Sequence, residues 1–104
     1  MQEKFKVLFI GDIVGRAGRT AVQHFLVDKN KAKDYDFIIA NVENASHGFG
    51  LTQKNYNDLL NFGIDCFTSG NHIWDKREIF QYIDNASKLV RPINYPPETK
   101  GTGY

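Results

Sequence analysis

The sequence has one cysteine, one tryptophan and three prolines in 104 residues, and no surplus of either charge. A single thiol, Cys66, excludes an internal disulfide and fits a reducing compartment. Inside the apolar run Ile64–Ser69 it reads as a buried, inert group. Thirteen Lys and Arg against twelve Asp and Glu leave a net charge of +1. That argues against a dedicated DNA-binding surface, which carries a basic excess. No apolar stretch approaches the ~20 residues of a membrane span. Met1-Gln2-Glu3-Lys4 enters a strand-like run without the layout of a signal peptide. These absences imply a cytoplasmic chain with no membrane partner. The length allows one domain, 1–104, with a modest core.

What is present is a strand–helix alternation. Phe5–Ile10 reads as a first buried strand closed by Gly11. A helix beginning near Arg16–Gly18 places Ala21, Val22, Phe25 and Leu26 on one face, and Asp28–Asp34 reads as a solvated loop. Phe37–Val42 is the second strand. Thr52 reads as the N-cap of a helix over Gln53–Phe62, with Gly63 at its C′ position. Ile64–Ser69 is the third strand. Asp75 and Glu78 have capping-box spacing for a helix with Ile79, Phe80 and Ile83 inward. Leu89-Val90 is a short fourth strand, and Arg91–Pro97 is held extended by its prolines. Runs buried on both faces and separated by helices predict a parallel α/β sheet. Gly101–Tyr104 has no terminating element and nothing after it to pair with, so the chain reads as the front part of something larger.

The polar residues gather at strand ends. Gly11-Asp12 follows the first strand, Glu43-Asn44 the second, and Gly70-Asn71-His72 the third. In open α/β sheets that carboxyl edge is where ligands bind. Each residue has a plainer reading. Asp12 suits a turn or a helix N-cap. Glu43 suits a rim position or an ion pair with Arg16 or Arg19, and a lone histidine is most often structural or solvated. Together they form an oxygen- and nitrogen-rich set of the type that divalent ions take. Such ions, bridged by a carboxylate, drive hydrolysis at phosphorus. Glu43 is the bridging candidate, and His72 would protonate the leaving oxygen or hold a phosphate oxygen. His24, His47, Phe49 and Trp74 rank below these as surface, loop or wall residues. Arg16 and Arg19 would meet a phosphate at the helix start, or simply face water.

Two other classes compete. Gly11-x-x-x-Gly15-x-x-Gly18 approximates a dinucleotide turn, with Glu43 placed for a ribose, as in a nucleotide-binding Rossmann-like module without catalysis. The spacing departs from Gly-x-Gly-x-x-Gly, and Asn71-His72 is left unexplained. A non-catalytic interaction domain explains the core but makes three polar strand ends a coincidence.

Four blocks carry a resemblance: Val7–Arg16, Asn41–Ala45 continuing through His47-Gly48 and Gly50-Leu51-Thr52, Gly70–Lys76, and Leu89–Pro96. In this order they closely resemble the N-terminal part of the YmdB-type bacterial proteins, within the calcineurin-like metallophosphoesterases. The resemblance implies the N-terminal half of an αββα sandwich and a binuclear iron or manganese centre. It implies hydrolysis of phosphodiesters, including 2′,3′-cyclic nucleotides. By position, Asp12, Glu43, Asn44 and Asn71 would be metal ligands, with Glu43 bridging and His72 beside the leaving group. The wider superfamily's usual Asp-x-His reads here as Asp12-Ile13-Val14, as in the YmdB-type branch, so by this resemblance the first metal lacks that imidazole. A later lone histidine and a His-x-His pair of the family are not matched by His24 or His47. The expectation is therefore half of a two-metal site, incompletely coordinated and weakly active or inactive alone, with exposed sheet surface that favours self-association.

Overall fold

The computed structural model describes residues 3–104; Met1 and Gln2, part of the N-terminal stretch read above, lie outside the described residues. Three strands form one parallel sheet in the order β1 (Val7–Ile10), β2 (Phe37–Asn41), β3 (Cys66–Thr68). Leu8 pairs with Ile38, Ile10 with Ala40, and Ala40 with Phe67. These five residues therefore share one face, and they join the core with Val22 and Leu26, Tyr56 and Leu59, and Ile79 and Ile83. The helices α1 (Gly15–Gln23) and α2 (Gln53–Asn61) and the short α3 (Ile79–Tyr82) supply the cover. Phe67 is fully buried, with the Tyr56 ring 5.3 Å away and the Tyr82 ring 5.9 Å beyond that. Burial lifts both tyrosine hydroxyls above their usual range, and for Tyr82 the nearby Glu78 adds to the effect.

The opposite face corrects the reading of strands buried on both sides. Val7 is 51% and Phe9 59% exposed, and Phe37 is also exposed. Alternate residues of a strand point to opposite faces, so an apolar run alone does not tell a covered face from an open one. Cys66 lies on this open face and is half-buried, not sealed.

Thr52 caps α2 as its residue type predicts, its hydroxyl accepting the Asn55 amide at 3.2 Å. Gly63 follows with φ +105°, where a side chain would be strained. The Asp28–Asp34 loop is more regular than expected: α1 runs into a π-helical turn (His24–Asp28), and a 3-10 turn follows (Ala32–Asp34). The Asp75–Glu78 capping box does not form. Asp75 ends a 3-10 turn (Asn71–Trp74), α3 begins only at Ile79, and Glu78 instead accepts the Gln53 amide at the start of α2. A long-range partner has displaced the local one. Phe80 departs from the inward stripe, 45% exposed and stacked on Trp74 at 5.5 Å.

The fourth strand is a single parallel bridge, Leu89 to Phe67. Next to it, Val90 bridges Thr102, so the final segment does find a pairing partner.

Candidate functional site

The three polar strand ends meet. After β1 the chain continues through Gly11 without a turn, and Ile13 is buried, its amide donating to the Asn41 carbonyl at 3.1 Å. Driving Ile13 inward leaves Asp12 exposed at the carboxyl edge. There the Asn44 amide nitrogen donates to Asp12 Oδ1 at 3.0 Å. The amide oxygen of Asn44 faces His72 Nδ1 at 2.7 Å. A carboxylate only accepts, so it fixes which end of the Asn44 amide faces it. His72 Nδ1 is then the donor in this contact, and Nε2 takes no part in it.

Glu43 enters from beside Asn44, its side chain 18% exposed. Its Oε2 accepts the His72 amide at 3.2 Å and lies 3.8 Å from His72 Nδ1, and its Oε1 accepts from Asn41 Nδ2 at 3.4 Å. The room for this carboxylate comes from Gly70. A Cβ there would lie 2.5 Å and 2.7 Å from the two oxygens of Glu43. Sequence reasoning assigns no role to Gly70 or Asn41; a glycine closing a strand just before polar residues is the signal of a close approach. The ion pair of Glu43 with Arg16 or Arg19 is not formed. Arg19 instead donates to the Ala45 carbonyl at 2.6 Å and steadies the loop after Asn44.

Asn71 is exposed at the first position of the turn that carries His72. It belongs to the cluster by position, without a side-chain hydrogen bond among the described residues. His47 is exposed with φ +58°, and His24 is exposed and 3.5 Å from Asp28. Neither is brought into the cluster by a hydrogen bond among the described residues.

The N-cap reading of Asp12 also fails, because α1 begins after Val14 with no side-chain cap. The dinucleotide reading meets a second obstacle. The Gly15 amide, first of α1, already donates to the Asn44 carbonyl at 3.0 Å. A phosphate-binding turn needs such amides free.

The donors are hard oxygens and one imidazole, the chemistry that divalent ions accept. They fit such ions in kind but not in number. Among the described residues no three His, Cys, Asp or Glu side chains gather as a metal-holding group. Ions of this class need about four to six donors each.

A family model described as YmdB-like protein matches residues 8–104. The chain belongs to the YmdB-like family. The 2′,3′-cyclic-nucleotide 2′-phosphodiesterase of Bacillus subtilis (strain 168) is 50% identical over 99 residues, covering 94% of this chain and 37% of that protein. A crystal structure of a hypothetical protein from Thermus thermophilus superposes with a TM-score of 0.87 at 41% identity, over 95% of this chain and 38% of that one. A crystal structure of a novel phosphatase from Mycoplasma pneumoniae gives 0.86 at 35% identity, over 99% and 38%. This member of the YmdB-like family thus spans well under half the length of the relatives it matches. The stretch matched by the family model contains every residue of the Asp12–Asn44–His72–Glu43 cluster.

Proposed function

We propose that this chain contributes one side of a metal-dependent phosphodiesterase site whose substrates are cyclic nucleotides, 2′,3′-cyclic forms among them. The observation that carries the reading is the run of contacts from Asp12 through Asn44 to His72, with Glu43 beside it. Asp12, Glu43, Asn44 and Asn71 would hold two divalent ions, iron or manganese, with Glu43 between them. When bound, such ions supply Lewis acidity toward the phosphoryl oxygens. The chain's own part is positional. Asn44 is held by Asp12 and in turn orients the His72 ring; with Nδ1 donating to Asn44, Nε2 would pass a proton to the leaving oxygen, or donate to a phosphate oxygen, when the ring carries both protons. Both ends of the Asn44 amide are engaged, so its oxygen has one remaining lone pair to offer an ion.

With too few donors for two shells, the 104-residue chain binds metal weakly and turns over little. The test is Mn²⁺ titration with and without Asp12→Ala and Glu43→Gln, alongside hydrolysis of 2′,3′-cyclic AMP. Weak Mn²⁺ binding lost in both variants is expected. Undiminished binding in the variants removes the assignment, and robust turnover by the chain alone removes the half-site. NAD binding without metal would favour the nucleotide-binding module. We also place the protein in the cytoplasm, and we assign self-association to the open sheet face of Val7, Phe9 and Phe37. No helix among the described residues is long and apolar enough to cross a membrane.

A further inference from the structure

Beside the end of β3, where the Ser69 hydroxyl donates to the Val90 carbonyl at 2.7 Å, Arg91 presents an unbalanced charge. It is 7% exposed. Its Nη1 donates to the Pro92 carbonyl at 2.9 Å and its Nη2 to the Thr99 carbonyl at 3.4 Å, while the buried Nε has no partner. None of the ion pairs among the described residues includes it. Arginine keeps its charge at any working pH, and a buried charge left with carbonyl dipoles alone is poorly compensated.

Arg91 lines a cavity of about 390 Å³, together with Ile93, Tyr95, Pro97 and Thr102. That volume falls in the range of small-molecule pockets, roughly 300–1,000 Å³. The walls are closely built. The Arg91 amide donates to the Thr102 carbonyl at 2.9 Å, and a Cβ on Gly103 would lie 2.6 Å from Ile93 Cα. Gly101, with φ +82°, brings the backbone against Ile83 and the Arg91 stem. The lining has two characters, a cation with a nearby hydroxyl and a set of apolar or aromatic surfaces.

We propose that this cavity binds a phosphomonoester with an aromatic body, the class of the nucleoside monophosphates. The phosphate would take the remaining N–H groups of Arg91 Nη1 and Nη2, Nε being sealed from the cavity, and the base would lie over Ile93, Tyr95 and Pro97. The site needs no metal and is tested apart from the proposed phosphodiesterase site.

Trp74, the single tryptophan, meets Tyr95 edge-on at 5.8 Å and so reports on the cavity wall. In EDTA, where the Asp12–Glu43 edge has no ion to attract phosphate, 3′-AMP should change Trp74 fluorescence saturably. Adenosine, inorganic phosphate and benzoate should each bind at least tenfold more weakly. Ile93 is 70% exposed, so Ile93→Asp should fold normally and weaken 3′-AMP at least tenfold by placing a negative charge in the cavity. Arg91→Lys should do the same by removing the fork. No saturable response to 3′-AMP overturns the proposal, as does unchanged affinity in Ile93→Asp. Benzoate binding as tightly as 3′-AMP reassigns the cavity to carboxylates and overturns it too. Because Mn²⁺ titration judges the other site, either reading can fail alone.

Discussion

Gly70→Ala separates the geometry of the Glu43 carboxylate from the stability of the fold. The new methyl would lie 2.5 Å from Glu43 Oε1, 2.7 Å from Oε2 and 2.9 Å from Cδ. Carbon–oxygen contacts in proteins settle near 3.3 Å, so the carboxylate must retreat by about 0.6–0.8 Å. Gly70 has φ −139° and ψ −154°, extended backbone open to alanine, so no conformational strain is added. The atoms that must move are the free end of a flexible side chain. The stability loss should therefore be near the low end of overpacking, about 1 kcal/mol, or a fall in Tm of roughly 4–8 °C for a domain of this size. The consequence for the site is larger. Displacing Glu43 breaks its 3.2 Å bond from the His72 amide and moves the bridging candidate away from His72. Disturbing a ligand's placement in this way typically weakens metal affinity 10–100-fold. Thermal denaturation and Mn²⁺ calorimetry on the same samples test this. A variant that keeps its Mn²⁺ affinity refutes the close approach as a determinant of the site; one that does not fold refutes the claim that only the side-chain end must yield.

Other expectations follow from the packing. Thr52→Ala removes the hydroxyl that caps α2 and lies 3.4 Å from Ser46 Oγ; urea denaturation should show a loss of about 1–2 kcal/mol. The Tyr82 hydroxyl, raised by burial and then by Glu78, stays protonated in the folded chain while the unfolded chain ionises near pH 10. Its contribution is therefore complete below pH 10 and is lost as pH rises toward the folded value. Tyr82→Phe should shift the alkaline unfolding midpoint upward, while at neutral pH it leaves the Leu51 carbonyl without its donor and costs about 1 kcal/mol. Val7→Thr with Phe9→Thr should reduce concentration-dependent association in sedimentation experiments without lowering Tm, because both side chains are more than half exposed. Association that persists unchanged would place the contact elsewhere.

The order of elements was legible because three apolar runs alternate with amphipathic stretches punctuated by glycines. The face of the sheet that stands open was not. Val7 and Phe9 are as apolar as Leu8 and Ile10, and periodicity cannot say which alternate set a chain covers. The capping failure at Asp75 has a similar origin. Asp75 and Glu78 have the right spacing, but Glu78 is drawn to the Gln53 amide 25 positions away, a contact no local rule contains. At the candidate site, residue types at strand ends singled out Asp12, Glu43, Asn44 and His72, which hydrogen bonds join. The mutual contacts, and the dependence on Gly70, required three dimensions.

That the site was readable from so little follows from how a parallel sheet is built. Every strand of such a sheet ends at the same edge, so residues one or two places beyond each strand converge whatever their separation in sequence. Asp12, Asn44 and His72 lie 32 and 28 positions apart, yet two hydrogen bonds join all three. The core fixes which side chains turn toward that edge. Ile13 is 2% exposed and Ile73 fully buried, so each anchors the chain just past a polar residue and forces that residue outward. Val42, also fully buried, does the same just before Glu43. The polar cluster is thus the complement of three buried anchors. Replacing Ile73 by alanine should therefore disturb the His72–Asn44 contact as well as stability, by about 2–5 kcal/mol. The histidine ring signals in NMR spectra would show it. A destabilised variant with unshifted His72 resonances would break the link between core and edge.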